Sequence, residues 1–382
     1  MRIESGDSSI LSPLFYFIFL RIMQKPKHQY FREQLMAWFA QSHRPLPWKG
    51  EKDPYIIWLS EIILQQTRVE QGLPYFERFR QRYPEVQQLA EAPQDEVMKL
   101  WEGLGYYSRA RNLHAAAQYI TGELDGRFPD TYEGILRLKG VGPYTAAAIA
   151  SFAFGLPYAV LDGNVFRVLS RFFGIHTPVD TTTGKKAFAQ LAQELLDTKQ
   201  PGNYNQAIMD FGATHCTPQS PACSTCPLRS ACTALGEGQV GKLPIKSKKI
   251  KKRQRFFHYL VIGHQGKALL NKRTEKDIWQ NLYEFPLLEL PHLSRDEGEI
   301  RESQLWKQLV GAEEAVVSHI SPPYQQLLTH QKIVASFWEV SLSPQAALNS
   351  GPFLAVDRKN LSTFAFPKII SQYLNQEQLT LF

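Results

Sequence analysis

Residues 138–146 read Leu138-Lys139-Gly140-Val141-Gly142-Pro143-Tyr144-Thr145-Ala146, a glycine-containing turn between two helical segments. Two glycines at this spacing permit a tight hairpin whose backbone N–H groups face outward at the N-terminus of the following helix. That is a ready site for a phosphate. A G-x-G turn by itself fits an ordinary interhelical connection equally well. What lends this one weight is the loop that follows it further down the chain.

Cys216, Cys223, Cys226 and Cys232 are the only cysteines, and they stand in one loop at the spacing C-x6-C-x2-C-x5-C. A disulfide framework would spread its cysteines through a small secreted fold, so four thiols in one loop read as the ligands of one centre. Tetrathiolate centres hold zinc or an iron–sulfur cluster. Zinc ribbons usually bring two close pairs, whereas this chain has the single pair Cys223/Cys226, with Pro227 directly after it. The uneven spacing favours one [4Fe-4S] cluster; zinc and four unrelated buried thiols are the alternatives.

Working outward, Gln29 to about Cys232 reads as successive helices: QYFREQLMAWFAQ, YIIWLSEIILQQTRV, DEVMKLWEGL, NLHAAAQYI, NVFRVLSRFFG and GKKAFAQLAQELL are apolar at helical spacing. Gly174 is placed as a helix stop. Beyond Pro244 the pattern turns to strand, in HYLVIGH, KALLNKR and KIVASFWEV, with helices at Glu299–Leu309 and PKIISQYL. At 382 residues the chain exceeds one ordinary core. The expected plan is an N-terminal extension (1–28), an all-α domain (29–214), the thiolate loop (215–233), a basic linker (234–255), a smaller α+β domain (256–376) and a tail (377–382).

The formal charge of +7 is local. Lys242, Lys246, Lys248, Lys249, Lys251, Lys252, Arg253 and Arg255 account for the whole excess, with no acid among them. Such a run suits a solvated linker and a phosphate-contacting one alike. Near the N-terminus, ILSPLFYFIFLRIM (10–23) is broken by Pro13 and interrupted by Arg21. It falls short of the roughly 20 residues of a membrane span, and the leading MRIESGD lacks the positive bias of a signal peptide. Translation is expected to begin at Met23, and the protein to be cytoplasmic, a monomer, and free of membranes.

The hairpin followed by the thiolate loop resembles the helix-hairpin-helix DNA glycosylase superfamily, from about Gln29 to Cys232. Within it, Leu46-Pro47-Trp48, Trp58-Leu59-Ser60-Glu61, Leu64-Gln65-Gln66-Thr67 and Gly103-Leu104-Gly105-Tyr106-Tyr107-Ser108-Arg109 are similar to the adenine DNA glycosylase family. The resemblance implies a helix-hairpin-helix glycosylase domain with an iron–sulfur loop, then a Nudix-like domain. It implies a bacterial, nucleoid-associated enzyme that hydrolyses the bond to adenine mispaired with 8-oxoguanine or guanine in double-stranded DNA.

Asp162, between the mostly apolar run Ile149–Leu161 and a helix, is an N-cap on the bland reading. The resemblance makes it the carboxylate that stabilises positive charge on the deoxyribose, which glycosidic cleavage requires. Glu61 is the one carboxylate in YIIWLSEIIL. On a surface helix it would be an ordinary solvated Glu, but apolar flanks raise a carboxyl pKa and suit it to act as an acid. The resemblance assigns it protonation of adenine, with Tyr144 and Asn164 lining the site. Where relatives that cut the backbone carry a Schiff-base lysine, this chain has Tyr144, implying a monofunctional hydrolase.

Extrusion of the adenine is unavoidable, because the glycosidic bond is closed off within a stacked duplex. Gln66 and Tyr106 match the wedging residues, with Thr67 and Leu104 beside them. Gly140 and Gly142 match the phosphate-binding hairpin, although Lys139 and Pro143 depart from its commoner Pro and Arg. Arg44, Trp48 and Gln206 match the adenine pocket, and Arg229 would face DNA from the thiolate loop. In the C-terminal domain Trp279-Gln280-Asn281-Leu282-Tyr283-Glu284-Phe285-Pro286 matches the family's 8-oxoguanine-reading module. Leu328-Thr329-His330 stands where the family reads the lesion with Phe-Ser-His, so Thr329 and His330 are the expected readers. No acidic Nudix box is present. Gln378-Leu379-Thr380-Leu381-Phe382 resembles a sliding-clamp docking peptide. The alternatives are an endonuclease III-like glycosylase and lyase acting on oxidised pyrimidines, and a non-catalytic DNA-binding iron–sulfur protein.

Overall fold

The computed structural model describes residues 13–42, 44–247, 252–311, 315–343, 345 and 350–380. Its helices are α1 (Pro13–Gln41), α2 (Pro54–Leu64), α3 (Val69–Arg82), α4 (Val86–Glu91), α5 (Gln94–Leu100), α6 (Ser108–Glu123), α7 (Tyr132–Leu136), α8 (Pro143–Phe154), α9 (Gly163–Phe173), α10 (Thr182–Leu195), α11 (Pro201–Thr214) and the short α12 (Thr233–Gly236). Two compact units result: Met1–Glu61 with Phe128–Lys248, and Ile62–Arg127 with Lys249–Phe382.

In the first unit, one apolar core joins Phe31 and Leu35 of α1, Ala147 and Ala148 of α8, Leu169 and Phe172 of α9, Phe188 of α10 and Phe211 of α11. Local chemistry sets where these helices begin and end. Gly142 precedes α8 in extended conformation with Pro143 at the first turn, where its missing N–H has no role. Asp162 caps α9 and Thr181 caps α10. Gly174 ends α9 in the left-handed region, as its position in the sequence predicts. α1 runs through Met23, the expected translation start, and carries Pro26 inside it; residues 1–12 lie outside the described residues.

Part of the stretch expected as a basic linker makes ordered contacts. Val179 N donates to Ile245 O, and Asp180 accepts from both the backbone N–H and the hydroxyl of Ser247. Lys248, Lys249 and Lys251 lie outside the described residues. Arg253 and Arg255 already belong to a strand.

The second unit contains α3 to α6 and an eight-stranded sheet among the described residues. Its strands are β1 (Arg253–His264), β2 (Lys267–Lys272), β3 (Tyr283–Glu284), β4 (Leu287–Leu290), β5 (Ala315–Ile320), β6 (Tyr324–Leu327), β7 (Gln331–Leu342) and β8 (Leu354–Asp357). Long parallel pairing of β1 with β7 is its spine, in register from Arg253↔Gln331 to Gly263↔Ser341. One face buries Leu260, Ile262, Leu269, Trp338 and Val340 against α13 (Glu297–Glu302) and α14 (Gln304–Leu309). On the other, Tyr373 of α15 (Lys368–Thr380) stacks on Phe337 at 4.0 Å.

The helix expected over Glu299–Leu309 is two helices. Ser303 breaks it by accepting from Trp306 N, which makes it the cap of α14. β4, β5, β6 and β8 were not among the strands expected from the sequence; they are only four to six residues long, too short to establish a period against their surroundings. Within this unit the helices are bound to the sheet domain. Asp95 takes Lys272 Nζ at 2.6 Å and the Tyr283 hydroxyl at 2.8 Å, and Arg111 donates to Gln280 O at 2.8 Å.

Candidate active site

Helix α2 is buried on every side from Tyr55 to Ile63, which is why its sequence is apolar without an outward stripe. Glu61 is therefore not a surface residue: it is 6% exposed. Burial pushes its carboxyl up to about 7, against a hydrogen bond from Tyr144; the nearby Asp162 charge adds to the rise. Glu61 opens on a cavity of about 440 Å³ that Trp48, Ile57, Phe152 and Gln206 also line. That volume is within the range of sites for small organic molecules. Lys49, Lys52 and Lys199 line it as well. No sequence pattern singled out these three cations: Lys49 and Lys52 come from the loop before α2 and Lys199 from the one before α11, so they join one lining only in the fold.

Tyr144 stands in the first turn of α8, half-buried, with its hydroxyl toward Met209 Sδ at 3.6 Å. Burial and the two carboxylates hold its phenol well above the ordinary value, so it is neutral at any working pH. Asp162 is both the cap of α9 and a neighbour of Glu61. Its Oδ1 accepts from Val165 N and its Oδ2 from Asn164 Nδ2, each at 2.7 Å. Burial raises its pKa, while these donors and the Arg167 charge pull it back. The cap of α9 is thus the carboxylate whose charge reaches Glu61.

A chain of polar contacts runs from there along α9. Asn164 Oδ1 accepts from Arg167 Nη2 at 2.8 Å, and Arg167 Nε donates to Cys216 O at 2.7 Å. One turn on, Arg171 donates to Cys216 Sγ at 3.4 Å, to Thr217 O at 2.7 Å and to Pro218 O at 3.1 Å. Cys216, Cys226 and Cys232 pack against the core of this unit, and none of the four thiols is in a disulfide. Burial raises Cys226 to about 11 and Cys232 also rises, with neighbouring thiols contributing to both, so the four sulfurs stand within electrostatic reach. Arg229 is exposed and donates to Ser224 O.

At the hairpin, Gly140 has φ +83°, which requires glycine. Gly142 has φ −102°, and a Cβ there would meet nothing within 4 Å. Its lack of a side chain leaves open space in front of the α8 N-terminus instead of relieving strain.

The other expected residues fall in the second unit. Gln66 and Tyr106 are exposed, and both adopt the left-handed region, at φ +56° and +48°. The Tyr106 hydroxyl and Thr329 Oγ1 share a hydrogen bond of 2.8 Å. His330 is exposed at the turn between β6 and β7, and its carbonyl accepts from Arg253 N. Thr67 is half-buried and faces Arg109.

Two of the expected residues are engaged within the fold. Leu104 is a core residue at 4% exposure, because the loop it sits in turns its side chain inward. Arg44 stands off the cavity lining: its Nη1 pairs at 2.7 Å with Asp210 of α11, a carboxylate only 2% exposed. A buried carboxylate demands a partner, and that demand fixes Arg44.

Residues 59–196 match the HhH-GPD superfamily of base excision DNA repair proteins, and residues 258–376 a NUDIX domain. An adenine DNA glycosylase from Buchnera aphidicola subsp. Acyrthosiphon pisum is 37% identical over 257 residues, covering 67% of this chain and 73% of that one. The mouse adenine DNA glycosylase is 45% identical over 222 residues, 56% of this chain and 43% of the longer mouse protein. Among solved structures, a thermostable thymine-DNA glycosylase superposes with a TM-score of 0.53 at 29% identity, over 56% of this chain and 99% of that one. A non-covalent endonuclease III–DNA complex gives 0.50 at 22% identity, which speaks to the fold alone.

Proposed function

The chain belongs to the adenine DNA glycosylase family, and we propose that it excises adenine standing opposite 8-oxoguanine or guanine, with Glu61 as the acid and Asp162 as its electrostatic partner. The observation that carries the assignment is a carboxyl buried at the wall of a cavity and poised near pH 7. Protonated Glu61 gives its proton to N7 of the extruded adenine. The C1′–N9 bond then breaks, and its electron pair leaves with the neutral base. Asp162, kept oriented by Val165 N–H and Asn164, favours the positive charge that develops on the sugar. Water adds its oxygen to C1′ and its proton returns to Glu61. Tyr144 has no amine to form an imine with the sugar, so the strand is left uncut.

Four clustered thiols without disulfides suit a [4Fe-4S] cluster held by Cys216, Cys223, Cys226 and Cys232. A cubane of that kind takes one thiolate on each of its four irons. Bound there, the cluster would staple the loop that α9 holds through Arg167 and Arg171. Thr329 and His330 would read the partner base, and Gly140 and Gly142 a backbone phosphate. No helix among the described residues is long and apolar enough to cross a membrane. The enzyme would act as a monomer on chromosomal DNA in the cytoplasm. The expected clamp-binding tail falls at the end of α15, and Leu381 and Phe382 lie outside the described residues.

The test is single-turnover excision on duplexes carrying adenine opposite 8-oxoguanine, G, C and T. Preference for the first two is expected, and Glu61→Gln should abolish release while duplex binding survives. Excision retained by Glu61→Gln would refute the acid assignment. Borohydride trapping of a covalent adduct would refute the hydrolytic one.

A further inference from the structure

We propose that Arg109 is the positioning residue for both wedging loops, one guanidinium holding Gln66 and Tyr106 at a fixed separation. This rests on the reading that those two side chains enter the duplex. Arg109 lies in the first turn of α6 and is 7% exposed. Its Nη1 donates to Ile62 O at 2.9 Å, Ile63 O at 2.8 Å and Gln65 O at 2.7 Å. Its Nη2 donates to Thr67 Oγ1 at 3.3 Å and to Gly105 O at 3.1 Å. Gln65 and Thr67 bracket Gln66, and Gly105 directly precedes Tyr106. The same guanidinium lies 5.0 Å from the Trp101 ring and 5.5 Å from the Tyr106 ring.

Three features make this more than packing. First, none of these partners is a carboxylate, so a buried cation is kept without a counter-charge. What offsets its burial is the carbonyl end of α2 and two aromatic faces. Second, a polar side chain and an aromatic one both occupy the left-handed region, at φ +56° for Gln66 and +48° for Tyr106. Such conformations persist only where their surroundings over-determine them, and Arg109 supplies contacts on the flank of each. Third, the geometry needs a planar fork. A lysine ammonium has three donors at one point, cannot reach acceptors on two loops and does not stack.

The test compares two substrates. One is a duplex with mispaired adenine, where a wedge is needed; the other presents the adenine already looped out of a bulge. Arg109→Lys is expected to lose about tenfold or more in single-turnover rate on the duplex and less than about threefold on the bulge, since small misplacements of positioning groups carry such penalties. Equal loss on both, or no loss on the duplex, overturns the proposal.

Gln66→Ala and Tyr106→Ala are run in parallel. If they too lose equally on both substrates, the wedge reading itself fails. If they discriminate and Arg109→Lys does not, only the role of Arg109 fails. Amide hydrogen exchange on Arg109→Lys is a readout independent of activity. Faster exchange confined to residues 65–68 and 104–107 is expected, and unchanged protection there overturns the proposal. Should Arg109→Lys melt too low to assay, Gly105→Ala strains the Tyr106 limb alone, at φ +80° in open space. It should show the same duplex-selective loss in weaker form, and an unselective loss counts against us.

Discussion

In the proposed chemistry a buried carboxyl acts beside a neutral phenol. Glu61 rises from an ordinary 4.5 to about 7 because burial disfavours its anion and Asp162 adds like charge. As the acid it is active when protonated, so the single-turnover rate should fall as pH rises through 7. The same shift has a stability consequence. The folded chain holds this proton more tightly than the unfolded one, so the contribution is complete below about pH 4.5 and lost as pH rises through 7. It amounts to roughly 3 kcal/mol for a group this buried. Thermal melts should therefore find Glu61→Gln more stable than the parent at pH 8 and matched to it near pH 4; equal offsets at both would count against the burial account. The apolar run around Glu61 made the residue legible in the sequence. Of its neighbours around the cavity, Trp48 and Gln206 were expected from the resemblance, whereas Lys52 and Lys199 were not, because nothing in linear order links them to Glu61.

Among elements, the packing of α9 on α11 matters most for the site. A Cβ on Gly212 would lie 2.7 Å from Asn164 Cβ and 3.1 Å from Asn164 O, where no flexible tip is available to yield. Gly212→Ala should displace the start of α9, and with it Asn164 and Asp162, lowering the excision rate while duplex affinity is largely kept. Unchanged single-turnover kinetics would sink this. Helix limits are readable wherever a local cap decides them, as at Asp162 and Gly174. Ser303 is the exception, a cap hidden inside an apolar periodicity that continues on both sides of it. The two hairpin glycines look alike in sequence yet differ in kind, one needed for its dihedral and the other for its open face.

For the molecule as a whole, the basic run is where sequence and structure part most. Arg255 is committed to Glu289 at 2.6 Å, whereas Lys242 and Lys246 are exposed. Replacing both lysines with alanine should lower the slope of log affinity against log salt by roughly 0.9 for every phosphate that they neutralise. Arg255→Ala should leave that slope where it was; a fall would show that the ion pair opens onto DNA. Motif spacing, thiol spacing and helical periodicity were legible in the sequence and carry the resemblance to the family, because caps, turns and ligand loops are local in the chain. Three things were left to tertiary structure: that Asp210 claims Arg44, that Leu104 turns inward, and that Arg109 serves both loops. Each depends on which distant groups a buried charge or an apolar side chain finds once the chain has closed around it, and no window of sequence contains both partners.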